Sequence, residues 1–76
     1  MNFAGAFISL QRGHKIRRKH WTGYWVVEEG EVFMHTFDGK SINIRESEDM
    51  MYTISNMACD DWVIADNYGA KKELVD

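Results

Sequence analysis

Near the start of the chain Phe3, Ala6, Phe7 and Leu10 recur at i, i+3, i+4 and i+7, one face of a helical period. Asn2 is a good N-cap for them, and Gly13 stands where a left-handed C′ residue ends a helix, so the pattern predicts a short amphipathic helix over 2–12. Beyond Gly13 the pattern becomes extended. Residues 15–18 read as a short strand or arm leading to Trp21, and Thr22-Gly23 breaks it. Tyr24-Trp25-Val26-Val27-Glu28 is aromatic and β-branched, as strands are. Glu29-Gly30 then reads as a turn, and 31–37 as the next strand with Phe33, His35 and Phe37 on one face. Asp38-Gly39 predicts a two-residue type I′ hairpin, and 40–45 alternates as the partner strand.

The pattern weakens after that. Residues 45–49 read as a charged, solvated loop, and Thr53 or Ser55 is predicted to cap a single helical turn over 56–59. Residues 61–64 form a last strand, and 66–76 a polar tail. The expected fold is α+β: a short N-terminal helix packed on a small antiparallel β-meander, with a one-turn helix before a final strand. One domain over 1–65 accounts for all of it.

Composition limits what such a domain can be. The chain has 76 residues, 45% of them hydrophobic. At that size folding removes only about 60% of the unfolded chain's surface from water, which makes the core marginal. Cys59 has no disulfide partner and no Cys/His set has structural-zinc spacing, so homo-oligomerisation is the expected compensation. Neither a leader-like N-terminus nor a membrane-spanning apolar run is seen, which predicts a cytoplasmic protein without a membrane partner. The net charge of -3 argues against polymeric nucleic acid as a partner. The positive charge is nevertheless bunched: Arg12, Lys15, Arg17, Arg18 and Lys19 lie close together, with His14 and His20 interleaved.

That basic run adjoins Trp21, Tyr24 and Trp25. Cations beside aromatic rings are a common means of holding a base and its phosphates, so Arg18, Trp21, Tyr24 and Trp25 are candidate ligand contacts. The competing role for the tryptophans, and the one expected of Trp62, is to close a small core. Asp60 and Asp61 are adjacent, and neighbours on a strand point to opposite faces, so they are poor candidates for a shared proton or metal. Either is suited to accept hydrogen bonds from ribose hydroxyls or a purine amino group. Cys59 lacks a base at useful spacing, and no Gly-x-Ser-x-Gly, P-loop, His-Glu-x-x-His or Gly-x-Gly-x-x-Gly motif occurs. A binding protein without metal or cofactor is expected, not an enzyme. A hydrolase built on Asp60, Asp61 and His20 is the weakest alternative, because no group orients a base. Another is an inhibitor or structural protein that meets a basic partner through Glu28, Glu29, Glu31, Glu46, Glu48 and Asp49.

Taken together, three features resemble the small phage proteins of the Thoeris anti-defence type two family, over residues 1–64. They are the Met-Asn-Phe helix with Ala6 and Leu10 closed by Gly13, the Arg-Lys-x-Trp-x-Gly run from Arg18 to Gly23, and the closing Ala58-Cys59-Asp60-Asp61-Trp62. The resemblance implies a sponge in the host cytosol that sequesters glycocyclic ADP-ribose or a related cyclic nucleotide and leaves it intact. It also implies a homotetramer with pockets shared between subunits. Trp21 matches the motif tryptophan and is the expected stacking partner of the adenine. Gly23 matches the motif glycine, where backbone amides can approach a phosphate, Asp60 and Asp61 match the closing acidic pair, and Asn56 stands at a commonly polar position. The chain departs from the family in its shortened central segment, 45–49, and in having Met50-Met51-Tyr52-Thr53 where a Trp/Pro-containing segment is usual.

Overall fold

The structure is a computed structural model and describes residues 1–66. Its architecture is α+β, as the pattern predicts. Helix α1 spans Phe3–Gln11, and strands β1 (Ile16–Arg18), β2 (Tyr24–Glu28), β3 (Glu31–His35), β4 (Ser41–Asn43) and β5 (Trp62–Ile64) form one antiparallel sheet. The strand order is β4-β3-β2-β1-β5, so β1 to β4 form a four-stranded meander and β5 returns to pair with β1. Helix α2 (Met50–Ser55), extended by a 3-10 turn over Asn56–Ala58, connects β4 to β5.

Local chemistry sets the ends of α1. The Asn2 side chain accepts from the Gly5 amide at 3.0 Å, satisfying one of the otherwise orphaned first-turn donors, and Gly13 follows the helix at φ +96°. The face of α1 that carries Ala6 and Leu10 packs over β5, β1 and β2. Beneath it an apolar row crosses all five strands in register, Ile64, Ile16, Trp25, Met34 and Ile42. Trp62 is fully buried among rings: its centroid lies 5.1 Å from Phe3, 5.2 Å from Trp21 and 5.1 Å from Trp25. Its indole N–H donates to the Asn56 carbonyl at 3.0 Å, so the buried polar edge has a partner. Met1 exchanges two backbone hydrogen bonds with Trp62, at 2.8 and 3.0 Å, and so lies along the outer edge of β5.

Several expectations change in detail. Both central residues of the β2–β3 turn are left-handed, Glu29 at φ 55° and Gly30 at φ 80°, so the type I′ signature belongs to Glu29-Gly30. At Asp38-Gly39 only the glycine has positive φ. There the Thr36 amide donates to the Lys40 carbonyl and Gly39 to the Thr36 carbonyl, which makes a wider loop fastened by the Thr36 hydroxyl on the Asp38 carboxylate. β3 therefore ends at His35, and Phe37 sits in the turn, 81% exposed.

β4 is also shorter than the pattern predicts and ends at Asn43. The Asn43 side chain accepts from the Arg45 amide and starts a 3-10 turn over Ile44–Glu46. The predicted charged loop thus holds ordered backbone, and Asp49 is the N-cap of α2 through the Tyr52 amide at 3.0 Å. Thr53 and Ser55 do not cap: their hydroxyls return to the Asp49 and Tyr52 carbonyls inside the helix. Asp66, the first residue of the predicted polar tail, is tied down by His14 at 2.7 Å and the Lys15 amide at 2.9 Å; the rest of that tail lies outside the described residues. No helix among the described residues is long and apolar enough to cross a membrane.

Candidate functional site

A cavity of about 470 Å³ opens on the same sheet face as α1, over its β2-β3-β4 half. Trp25, Met34 and Ile42, three members of the apolar row, form its floor. One wall is the loop 21–23 and the other is the face of α2 that carries Tyr52, Thr53 and Asn56. Phe37, Ser47 and Asp49 stand at the rim, with His20 beside the loop.

The loop wall is held by one guanidinium. Arg17 Nη1 donates to the carbonyls of Arg18, Lys19 and Trp21 at 3.1, 2.7 and 3.2 Å, gathering the basic run into a tight turn that the Trp21 amide closes onto Arg18. Trp21 is thereby set 5.7 Å from Trp25 at a tilt of 42°, partly in the aromatic core and partly in the cavity wall. Gly23 is required by close approach: a Cβ there would run into the His35 carbonyl oxygen, far inside van der Waals contact. Gly23→Ala is expected to cost ~1–3 kcal/mol through forced displacement of backbone. Urea unfolding measures it, and an unchanged midpoint would mean that the loop yields freely.

The second wall is tied to the sheet through Arg18. Its Nε and Nη2 grip the Asp61 carboxylate at 2.8 and 3.2 Å while Nη1 donates to the Asn56 side chain at 2.8 Å. Asn56 in turn donates to the Tyr52 carbonyl at 2.9 Å, which links β1, the approach to β5 and α2 in one network. The hydrogen bond from Arg18 holds the Asp61 carboxyl below its usual pKa, and Asp61 raises that of Arg18. His20 Nδ1 stands 3.7 Å from the same carboxylate.

Of the residues singled out in the sequence, Trp21, Gly23, Tyr24, Trp25 and Asn56 line the cavity together. Arg18 and Asp61 are engaged with each other and are not among the lining residues, and Asp60 is exposed outside it. Trp25 is 4% exposed, so it serves the core as well as the floor. Tyr24 stands at the cavity's edge with its ring stacked on His35, 4.8 Å between centroids, and Lys15 Nζ lies 4.9 Å above it. Burial, then the nearby Glu28, raises the Tyr24 phenol. The acidic side chains proposed as a partner surface are in part committed within the fold: Glu28 to His35, Glu31 to Asn43 and Arg45, and Asp49 to its cap.

Sequence reasoning missed Tyr52, Phe37, Met34 and Ile42. The signal for Tyr52 was Asp49 three residues ahead of it, a cap-to-N3 spacing; Met34 and Ile42 were legible as facing positions across the 36–40 turn. No group of three or more His, Cys, Asp or Glu among the described residues is placed to hold a metal ion.

The network makes stability sensitive to acid. Asp61 is lowered first by its hydrogen bond from Arg18, Asp66 first by the Lys15 amide, and Glu31 first by the Asn43 side chain. A carboxyl whose folded pKa lies below its unfolded value stabilises the fold above the unfolded value, about 4, and loses that contribution as the pH falls through the folded one. The urea midpoint is therefore expected to fall as the pH drops below about 4, and Asp66→Asn to flatten that fall. A midpoint independent of pH across this range would contradict it. Compared with known proteins, the chain matches no family model, no curated protein and no solved structure.

Proposed function

We propose that this cavity binds the base of a small cyclic nucleotide and holds the molecule intact, so that the protein acts in the host cytosol as a sponge for an immune signal such as glycocyclic ADP-ribose. The observation that carries this reading is a cavity with an apolar floor, a tryptophan in one wall and a tyrosine in the other. A planar ring fits such a slot, and each base–aromatic stack contributes ~1–3 kcal/mol. Both walls are fixed by hydrogen bonds before any ligand arrives, which lowers the entropic cost of binding. Sequestration without conversion is favoured because the Asp61 carboxylate is occupied by Arg18 and Asp60 lies off the cavity. The resemblance to the Thoeris anti-defence type two family points the same way, and extends it to a homotetramer.

The experiment is a native mass spectrum of the protein after incubation with glycocyclic ADP-ribose or a cyclic dinucleotide, followed by denaturation and recovery of the ligand. Retention by an oligomer and release of intact ligand are expected. No uptake of any such molecule would sink the proposal, and recovery of a degraded ligand would indicate an enzyme.

A second reading, a protein-binding inhibitor, is favoured by one observation. Phe37 and Tyr52 of the cavity lining are exposed apolar side chains, as are Met51 and Ile54 on α2, Met51 at 78% and Tyr52 at 58%. It predicts one stoichiometric host protein in a pull-down, retained when Trp21 is replaced by alanine.

A further inference from the structure

The basic run beside the tryptophans invites assignment as a phosphate site, and its geometry points elsewhere. Arg17 is bound to three carbonyls of its own loop. Arg18 is bound to a carboxylate and to the Asn56 amide. Neither lines the cavity, and among the described residues no lysine or arginine does. The one carboxylate of the lining, Asp49, is fixed by its bond to the Tyr52 amide, and the other titratable groups of the lining are His20, Tyr24, His35 and Tyr52.

We infer that the cavity selects its ligand by an uncharged planar ring and leaves the phosphates outside it. This rests on the nucleotide reading above and specifies which part of the ligand is recognised. The physical ground is desolvation. A phosphate drawn between apolar floor and aromatic walls would lose its hydration without meeting a cation, and would face the Asp49 carboxylate across the rim. A heteroaromatic ring makes neither sacrifice: it exchanges water for ring faces and the Met34 and Ile42 side chains. Arg18 is, on this assignment, a positioning residue that holds α2 against the sheet and does not pair with ligand charge.

The test is to titrate the protein with the four common ribonucleosides and their 5′-monophosphates, following tryptophan fluorescence at pH about 8, where imidazoles are ordinarily neutral. At least one nucleoside is expected to bind, its monophosphate to bind within about threefold of it, and neither affinity to move appreciably between about 50 and about 500 mM salt. Tyr52→Ala is expected to weaken both members of the pair by the same factor. A monophosphate about tenfold or more tighter than its nucleoside, with steep loss in salt, would overturn the inference. So would retention of a cyclic nucleotide in the mass spectrum by a protein that takes up no nucleoside, and in that case the sponge proposal stands. Failure to bind nucleoside, nucleotide and cyclic signal alike would remove both.

Discussion

Trp62→Ala is expected to remove a large share of the chain's folding stability. The side chain is wholly buried, contacts three other aromatic rings and supplies the donor for the Asn56 carbonyl. Removing a buried tryptophan costs ~3–5 kcal/mol, and the abandoned carbonyl adds about 1 kcal/mol. A domain of this length has about 4–11 kcal/mol in total. Urea unfolding followed by near-ultraviolet circular dichroism measures the loss. Trp62→Phe, which keeps much of the apolar area and gives up the N–H, should retain the fold with a reduced midpoint. A loss below about 1 kcal/mol for the alanine variant would place the stabilising core elsewhere.

Trp21→Ala is expected to weaken ligand binding at least about tenfold, the equivalent of one lost base stack at ~1.4 kcal/mol. Because Trp21 also packs on Trp25 and Trp62, the variant loses stability too, and affinity must be measured where its folded fraction is known. Tyr52→Ala separates the two effects. Tyr52 stands on the opposite wall and is mostly exposed, so its removal should lower affinity with a shift of the urea midpoint within about 0.5 kcal/mol. If both variants bind as the parent does, the ring site is not this cavity.

The fold was legible where each residue's preference had only local partners. Asn2, the apolar face of α1 and Gly13 specify that helix without help from the rest of the chain, and the bounds of β2 follow from its own side chains. Turn type was less legible, because Asp38-Gly39 and Glu29-Gly30 carry similar turn signals and only the second adopts the type I′ geometry. At the first, the Thr36 hydroxyl engages Asp38 in a wider loop. The α2 segment was hidden by its charges: Asp49 reads as solvated until its cap bond to Tyr52 is seen.

The candidate site was half legible for a similar reason. Trp21, Gly23 and Asn56 were recognisable by residue type and do meet in one cavity. Arg18 and Asp61 looked like ligand contacts because sequence shows charge but not its partner, and they are each other's partner across 43 positions.

The return of β5 to β1 has a kinetic consequence. Strands β1 to β4 pair with near neighbours in sequence and can assemble by successive short loop closures. The bonds of Trp62 to Met1, of Asp61 to Arg18 and Lys19, and of Asp66 to His14 all wait on one closure that spans most of the chain. That docking event is expected to be the slow, entropically costly step of folding. Because it also seats Trp62 beside Trp21 and joins Arg18 to Asp61, the loop wall of the cavity is braced by a strand that does not line it.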